Sequence, residues 1–168
     1  MRRSTAAIGS VVWFVALGGM FACLLPFSIA GWHFHHPLAY WAVAQAAGVL
    51  LICAGLVPLV SSFLEFFRAD GTPIPMASPP RLVVSGFYRY VRNPIYVGFV
   101  ILMVGETLLF GSLGLVEYTV VSWCVGAAAV RWYEEPVLTR KFGAEYQTYQ
   151  QFVRAWLPRL HPWVPDSQ

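Results

Sequence analysis

The chain has 168 residues, 58% of them hydrophobic and 11% charged, with a mean hydropathy of +0.60. A water-soluble domain of this length is far more polar, so the composition excludes an ordinary soluble enzyme and points to a membrane protein. The formal net charge of +3 says little by itself, and nothing in the chain points to a nucleic acid as partner.

Block 8–30 contains no charged residue and is long enough to span a bilayer core, which takes about 20 helical residues. Met1-Arg2-Arg3 ahead of it and Ser28-Ile29-Ala30 at its end resemble a signal peptide with a cleavage site. Its length and the matching block 38–60 favour a membrane anchor. His33, His35 and His36 crowd the connection between the two and read as a solvated interfacial loop; no metal site is expected. Gln45 is the one strongly polar side chain of the second block.

Gly71–Pro80 holds four prolines, which lack amide donors and restrict the residues before them, so it is not helical. Leu82-Val83-Val84 reads as a short extended piece. Cys23, Cys53 and Cys124 lie in apolar blocks without metal-like spacing and read as small buried hydrophobes.

Next comes Tyr88-Arg-Tyr-Val-Arg-Asn-Pro-Ile-Tyr-Val-Gly98. Asn93 suits a helix cap and Pro94 the first helical position. The helix then starts with its positive end beside Arg89 and Arg92, an arrangement that attracts an anion. Tyr88, Tyr90 and Tyr96 offer ring faces, and Gly98 leaves room for another group to approach. A ligand with a carboxylate or phosphate, a flat base and a positive centre would fit. The positive-inside rule and the aromatic belt alone place the same residue types at this depth.

Blocks 95–110 and 113–130 follow, parted by Gly111-Ser112. At about 1.5 Å per residue the first is roughly 24 Å long, shorter than the ~30 Å bilayer core, so the two read as a tight helical hairpin that barely spans. Glu106 and Glu117 flank its turn, where a hydrogen bond or hydration suffices to keep them.

With four spans and the N-terminus inside, all eleven basic residues fall on one side. They are Arg2, Arg3, Arg68, Arg81, Arg89, Arg92, Arg131, Arg140, Lys141, Arg154 and Arg159. By the positive-inside rule both termini and the segments 67–93 and 131–168 are cytoplasmic. Glu134 and Glu135 then lie at the level of Arg92. One can pair with Arg131, leaving the other for an ammonium group; the spacing does not say which. Pro136 suits a first helical turn and Gly143 breaks the helix. Ala144–Trp156 follows as an amphipathic helix with Tyr146, Tyr149, Phe152, Val153 and Trp156 on one face, suited to the membrane surface. The fold class is thus an all-α polytopic membrane protein: about four transmembrane helices, the last two a hairpin, plus a cytoplasmic-side amphipathic C-terminal helix. It forms one domain over 1–168.

Arg92-Asn-Pro-Ile-Tyr-Val-Gly98, Glu134-Glu135, Phe142-Gly143, Glu145-Tyr146, Tyr149 and Trp156-Leu-Pro158 together resemble the isoprenylcysteine carboxyl methyltransferase family, particularly its short bacterial members and their phospholipid methyltransferase relatives. The likeness covers about Gly71 to Arg159. It implies an integral membrane enzyme, in a bacterial inner membrane, that uses S-adenosyl-L-methionine and a lipophilic methyl acceptor entering from the bilayer. Tyr90, Arg92, Asn93, Pro94, Tyr96 and Gly98, with Glu134 and Glu135 opposite, are the expected cofactor-site residues. Glu134 is a candidate base, and Arg154, projecting from the amphipathic helix, would orient an acidic acceptor. The eukaryotic pattern has Arg-His-Pro where this chain has Arg92-Asn93-Pro94, so no imidazole role carries over. Two alternatives stay open. One is an NADPH-dependent sterol or enone reductase-like enzyme, whose pattern has an acidic residue where this chain has Phe99. The other is a non-enzymatic membrane adaptor. The acceptor and the oligomeric state are not legible.

Overall fold

The computed structural model describes residues 16, 18–37, 40–69 and 79–164. Arg2, Arg3, the start of the first expected span at 8–15, and 71–78 of the proline-rich stretch lie outside the described residues. Every regular element among the described residues is helical. These are α1 (Met20–Ile29), α2 (Trp41–Arg68), α3 (Pro94–Phe110), α4 (Leu113–Ala129), α5 (Glu135–Phe142) and α6 (Ala144–Phe152). A 3₁₀ turn covers Gly86–Arg89, and π-helical turns cover Met20–Leu24 and Val130–Glu134.

Two stretches, Trp41–Phe66 and the continuous Leu113–Phe142, are long and apolar enough to cross a membrane. Only 28% and 17% of their most apolar windows is buried, whereas a soluble core helix of this composition would be mostly buried. Val43, Leu50 and Val57 on α2 and Val120, Val121 and Val125 on α4 are all exposed. A continuous apolar surface of this kind suits lipid better than water.

Two expected boundaries moved. α2 ends at Arg68, not Val60. Ser61 and Ser62 end the apolar block there but not the helix, whose last turn holds the Arg68–Glu65 pair at 2.8 Å. α6 ends at Phe152, not Trp156. Val153 is extended (φ −118°, ψ 122°) and fully buried, and its burial prolongs the apolar periodicity after the helix has stopped. Leu82-Val83-Val84 joins no strand; Leu82 and Val84 pack into a core instead.

Packing divides the described chain into two compact units. One takes the residues up to Val57 with Gly98–Val125; the other takes Pro58–Val97 with the residues from Gly126 onward.

In the first unit α2 and α3 approach to backbone contact at glycines. A Cβ on Gly48 would lie 2.6 Å from the Gly105 carbonyl oxygen, and one on Gly55 would lie 2.5 Å from that of Gly98. Without a hydrophobic force between helices in lipid, such close approach is what makes their packing favourable. The two polar groups of α2's first turns serve the same contact. Trp41 Nε1 donates to the Leu108 carbonyl at 3.0 Å, and Gln45 Nε2 to the Leu109 carbonyl at 3.1 Å. Those carbonyls belong to the last turn of α3, which has no intrahelical donors. Gly111 then turns the chain at φ +65°, in a space where a Cβ would sit 2.5 Å from the His35 carbonyl oxygen. Ala30, Phe110 and Leu115 form the buried cluster at this end. Glu106 is buried, 6% exposed, and its Oε2 has no partner among the described residues.

Candidate functional site

The second unit is built around a core of Tyr146, Tyr149 and Val153, with Leu82, Val84, Leu138, Phe142 and Trp163 packed on it. The aromatic face of α6 therefore points into protein, with Tyr146 and Tyr149 only 3% and 2% exposed. The face expected on a membrane surface is core; Phe152 alone of its aromatics is exposed within the helix. Burial raises the hydroxyls of these tyrosines: Tyr146 is pushed up to about 12, and Tyr149 and Tyr88 well above the usual range.

This core carries the motif. Ser85 Oγ donates to the Glu65 carboxylate, Gly86 turns the chain at φ +54°, and the 3₁₀ turn places Tyr88 edge-on to Phe66. Tyr149 Oη donates to the Tyr88 carbonyl at 2.6 Å. From there the C-terminal segment runs back along the motif. The Arg92, Arg159 and Trp163 amides donate to the carbonyls of Arg154, Tyr90 and Arg89, each at 2.9 Å. Arg89 Nε donates to the Trp163 carbonyl at 2.9 Å, and Asn93 Nδ2 to the Ala155 carbonyl at 3.1 Å. Backbone between two loops is thereby satisfied without a sheet.

α3 starts at Pro94, as its sequence predicts, and the Asn93 carbonyl accepts from the Val97 amide at 3.0 Å. The Asn93 side-chain amide has a use not foreseen, tying down the C-terminal segment through Ala155.

Across from the motif, the helix that continues α4 widens into the π turn Val130–Glu134 before α5. Such turns reset which side chains share a face and recur at functional sites. Pro136 occupies the first turn of α5 and Gly143, at φ +55°, ends it, both as expected. The turn delivers both glutamates to the motif. Arg92 Nη2 lies 2.9 Å from Glu135 Oε1, and the two side chains are 12% and 13% exposed. Arg131, 77% exposed, reaches Glu135 Oε2 only at 3.9 Å. Tyr96 Oη donates to Glu134 Oε1 at 2.5 Å. The Tyr96 ring meets Trp156 edge-on at 6.2 Å and covers Gly126, where a Cβ would lie 3.0 Å from Cδ1.

The structure thus brings together Arg92, Tyr96, Glu134 and Glu135. It resolves which glutamate meets Arg131: Glu135 does, and it meets Arg92 more closely. Tyr90 is half-buried and enters through its backbone. Pro94 is buried at the helix start. Gly98 is buried, and its carbonyl oxygen lies against Gly55, a helix contact. Arg154 does not project from α6; it follows the helix, its side chain exposed and its carbonyl bound to the Arg92 amide. Sequence reasoning missed the C-terminal strap; Trp156-Leu-Pro158, where Pro158 disfavours helix at the residue before it, was its one signal.

Two buried guanidinium nitrogens stay unused. Arg92 Nε and Arg159 Nη1 are buried without a partner among the described residues. Buried polar groups are nearly always satisfied, so both fit an acceptor-bearing ligand such as a carboxylate. Adjacent carboxylates at Glu134 and Glu135 fit an ammonium group. The donor set is consistent with the amino-acid end of S-adenosylmethionine.

A family model described as "Phospholipid methyltransferase" matches residues 43–145. A probable protein-S-isoprenylcysteine O-methyltransferase of rice (Oryza sativa subsp. indica) is 32% identical over 126 residues, covering 71% of this chain and 63% of its own. Protein-S-isoprenylcysteine O-methyltransferase A of Arabidopsis thaliana is 37% identical over 78 residues, covering 46% of this chain and 39% of its own. Methanethiol S-methyltransferase 1 of Bradyrhizobium diazoefficiens is 35% identical over 83 residues, covering 49% of this chain and 28% of its own. The chain therefore spans less than two thirds of the length of these relatives. No solved structure matches it significantly. With a family match running from α2 through the motif and the Glu134-Glu135 pair into α6, the chain belongs to the phospholipid methyltransferase family, with isoprenylcysteine methyltransferases among its relatives.

Proposed function

We propose that this chain is an integral membrane methyltransferase that takes S-adenosylmethionine from the cytosol and methylates a lipophilic acceptor entering from the bilayer. The observation that carries the reading is the convergence of Arg92, Tyr96, Glu134 and Glu135 in one unit, with Arg92 Nε buried and unpartnered. The family match and the names of the relatives support it. Neither an adaptor nor the belt of charges at a membrane surface explains a nearly buried Arg92 that pairs with Glu135 and keeps an unpartnered Nε.

When bound, the cofactor supplies an electrophilic methyl on a sulfonium, open to in-line displacement by a nucleophile. Arg92 would hold the carboxylate end, using Nε and the guanidinium edge. Glu135 would take the ammonium, and the Tyr96 ring would border the positive centre. Asn93 and Pro94 set the start of α3, and Tyr90 contributes backbone beside it. An ionised carboxylate or thiolate acceptor needs no base, so the residues' work is alignment and exclusion of water. For a phospholipid amine, Glu134 would receive the amine proton, with Tyr96 Oη holding the carboxylate in place. Arg154 would orient an acidic acceptor from its exposed position after α6.

We further propose four spans, the last two a hairpin turned at Gly111-Ser112. Both termini would be cytoplasmic, in a bacterial inner membrane, with all basic residues inside. The deciding experiment is calorimetry on the purified chain with S-adenosylhomocysteine and NADPH side by side. Micromolar binding of the former, about 8 kcal/mol at 1 μM, is expected. Tight NADPH binding without response to S-adenosylhomocysteine would hand the site to a reductase.

A further inference from the structure

The C-terminal strap carries an apolar surface for which methyl transfer has no use. Leu157, Leu160 and Val164 are 64%, 92% and 62% exposed. Phe152, 52% exposed, stacks on Trp163 at 5.8 Å and extends the same strip. We propose that this face of the strap, over 152–164, docks on the lipid surface of the membrane. The proposal rests on the membrane placement given above and not on cofactor use. It moves the membrane contact suggested by the sequence pattern of α6 to the segment that follows that helix.

Depth argues for lipid as the partner. The strap is bonded to the motif where α3 begins. The Arg92 amide donates to the Arg154 carbonyl and Asn93 Nδ2 to the Ala155 carbonyl, just before Pro94. The same motif meets the end of the apolar stretch Trp41–Phe66, where the Phe66 ring lies edge-on to Tyr88 at 5.4 Å. The ends of two apolar helices thus lie at the level of the strap. An exposed apolar strip at that level borders the headgroup boundary, where its side chains leave water.

The backbone permits such a contact. Irregular chain can border lipid only where its polar groups have partners. The Arg159 and Trp163 amides are bound to the Tyr90 and Arg89 carbonyls, and the Trp163 carbonyl accepts from Arg89 Nε. With the bonds at Arg154 and Ala155, these hold the strap in one orientation, with Leu157 and Leu160 outward. Charge fits the same partner. Between Tyr146 and Val164 the charged residues are Arg154 and Arg159, and none is acidic. Arginines beside an apolar strip suit the negative surface of a cytoplasmic leaflet.

The test uses the full chain in nanodiscs of phosphatidylglycerol and phosphatidylcholine, with no cofactor added, so its outcome is independent of whether the chain binds S-adenosylmethionine. Cys23, Cys53 and Cys124 are replaced by alanine, and one nitroxide is attached through Leu157→Cys, Leu160→Cys or Val164→Cys. Gln147→Cys, at an exposed position on α6, is the aqueous reference. Power-saturation measurements compare collisions with oxygen, which concentrates in lipid, and with a nickel chelate, which stays in water. All three strap positions should show more oxygen collisions than position 147 and several-fold fewer nickel collisions. Leu160, the most exposed of the three, is the decisive position, because a label there displaces the least packing. Nickel collisions at 160 equal to those at 147 would overturn the proposal, since the strap would then face water. Spin–spin broadening that disappears on dilution with unlabelled chain would overturn it too, because a second copy would then cover the strip.

Discussion

Arg92 and Glu135 form a nearly buried ion pair, 2.9 Å between Nη2 and Oε1, that joins the start of α3 to the start of α5. Sequence reading placed these two residues at one level and left open which glutamate would pair with Arg131. They grip each other, and Arg92 still keeps its Nε unspent.

Because the pair is only 12% and 13% exposed, removing one partner strands a charge. Arg92→Ala and Glu135→Gln should each cost about 3 kcal/mol or more of stability, seen as a lower melting temperature without ligand. Arg92→Met/Glu135→Leu should recover most of that loss, since well-packed apolar residues often replace such pairs without cost. Binding of S-adenosylhomocysteine, followed by calorimetry, should be lost in all three. A double variant that regains stability and also binds would show the pair to be structural only.

Tyr96→Phe isolates the neighbouring contact. The ring stays on Gly126 while the bond to Glu134 goes. A loss of about 1.5–3 kcal/mol, the scale of a hydrogen bond to a charged group, should appear in cofactor affinity or in turnover of an amine acceptor. Gly126→Ala attacks the same tyrosine from below, because its new Cβ would meet Cδ1 at 3.0 Å. If Tyr96→Phe leaves both binding and turnover unchanged, Glu134 needs no positioning by Tyr96.

Much of this was legible beforehand because the signals were local. Pro94 and Pro136 open helices, Gly143 ends one, and Gly111 turns the chain; each follows from a single residue's backbone chemistry. What was not legible depended on partners far apart in sequence. The apolar periodicity ran through Val153 and Trp156 although the helix did not, because burial in the core and position on a helix leave the same pattern. The return of 153–163 along 89–93 uses mostly backbone amides and carbonyls, which any sequence supplies. The π turn at 130–134, which sets where Glu134 and Glu135 point, has no residue signature at all.

The tyrosine core predicts a response to alkali. Burial holds the Tyr146 hydroxyl at about 12, and raises Tyr88 and Tyr149 further. An unfolded tyrosine ionises near 10, so folding favours the protonated hydroxyls. Their contribution is complete below about pH 10 and is lost as pH rises toward the folded values. Melting temperature should therefore be flat through neutral pH and fall between about pH 10 and 12. Tyr149→Phe should flatten that fall while lowering stability at pH 7 by about 1–3 kcal/mol, because the Tyr88 carbonyl loses its donor. A decline of equal slope in the variant would place the alkaline transition elsewhere.

The glycine contacts of α2 and α3 make the most direct structural prediction. A methyl at Gly48 would meet the Gly105 carbonyl oxygen at 2.6 Å and the Leu109 nitrogen at 2.9 Å; one at Gly105 would meet the Gly48 carbonyl oxygen at 2.7 Å. These are backbone atoms on both sides, so no rotamer change relieves the clash and the helices must separate. Separation would also stretch the bonds from Trp41 and Gln45 to the last turn of α3. Gly48→Ala and Gly105→Ala should each lower stability by at least about 1–3 kcal/mol, the usual cost of overpacking. Gly18 is the internal control, since a Cβ there meets nothing within 4 Å. Gly18→Ala should be neutral or slightly stabilising, because alanine is the better helix former by about 1 kcal/mol. Melting curves of the three variants in one detergent decide the matter. Equal, small effects at all three positions would mean that α2 and α3 do not touch through their glycines.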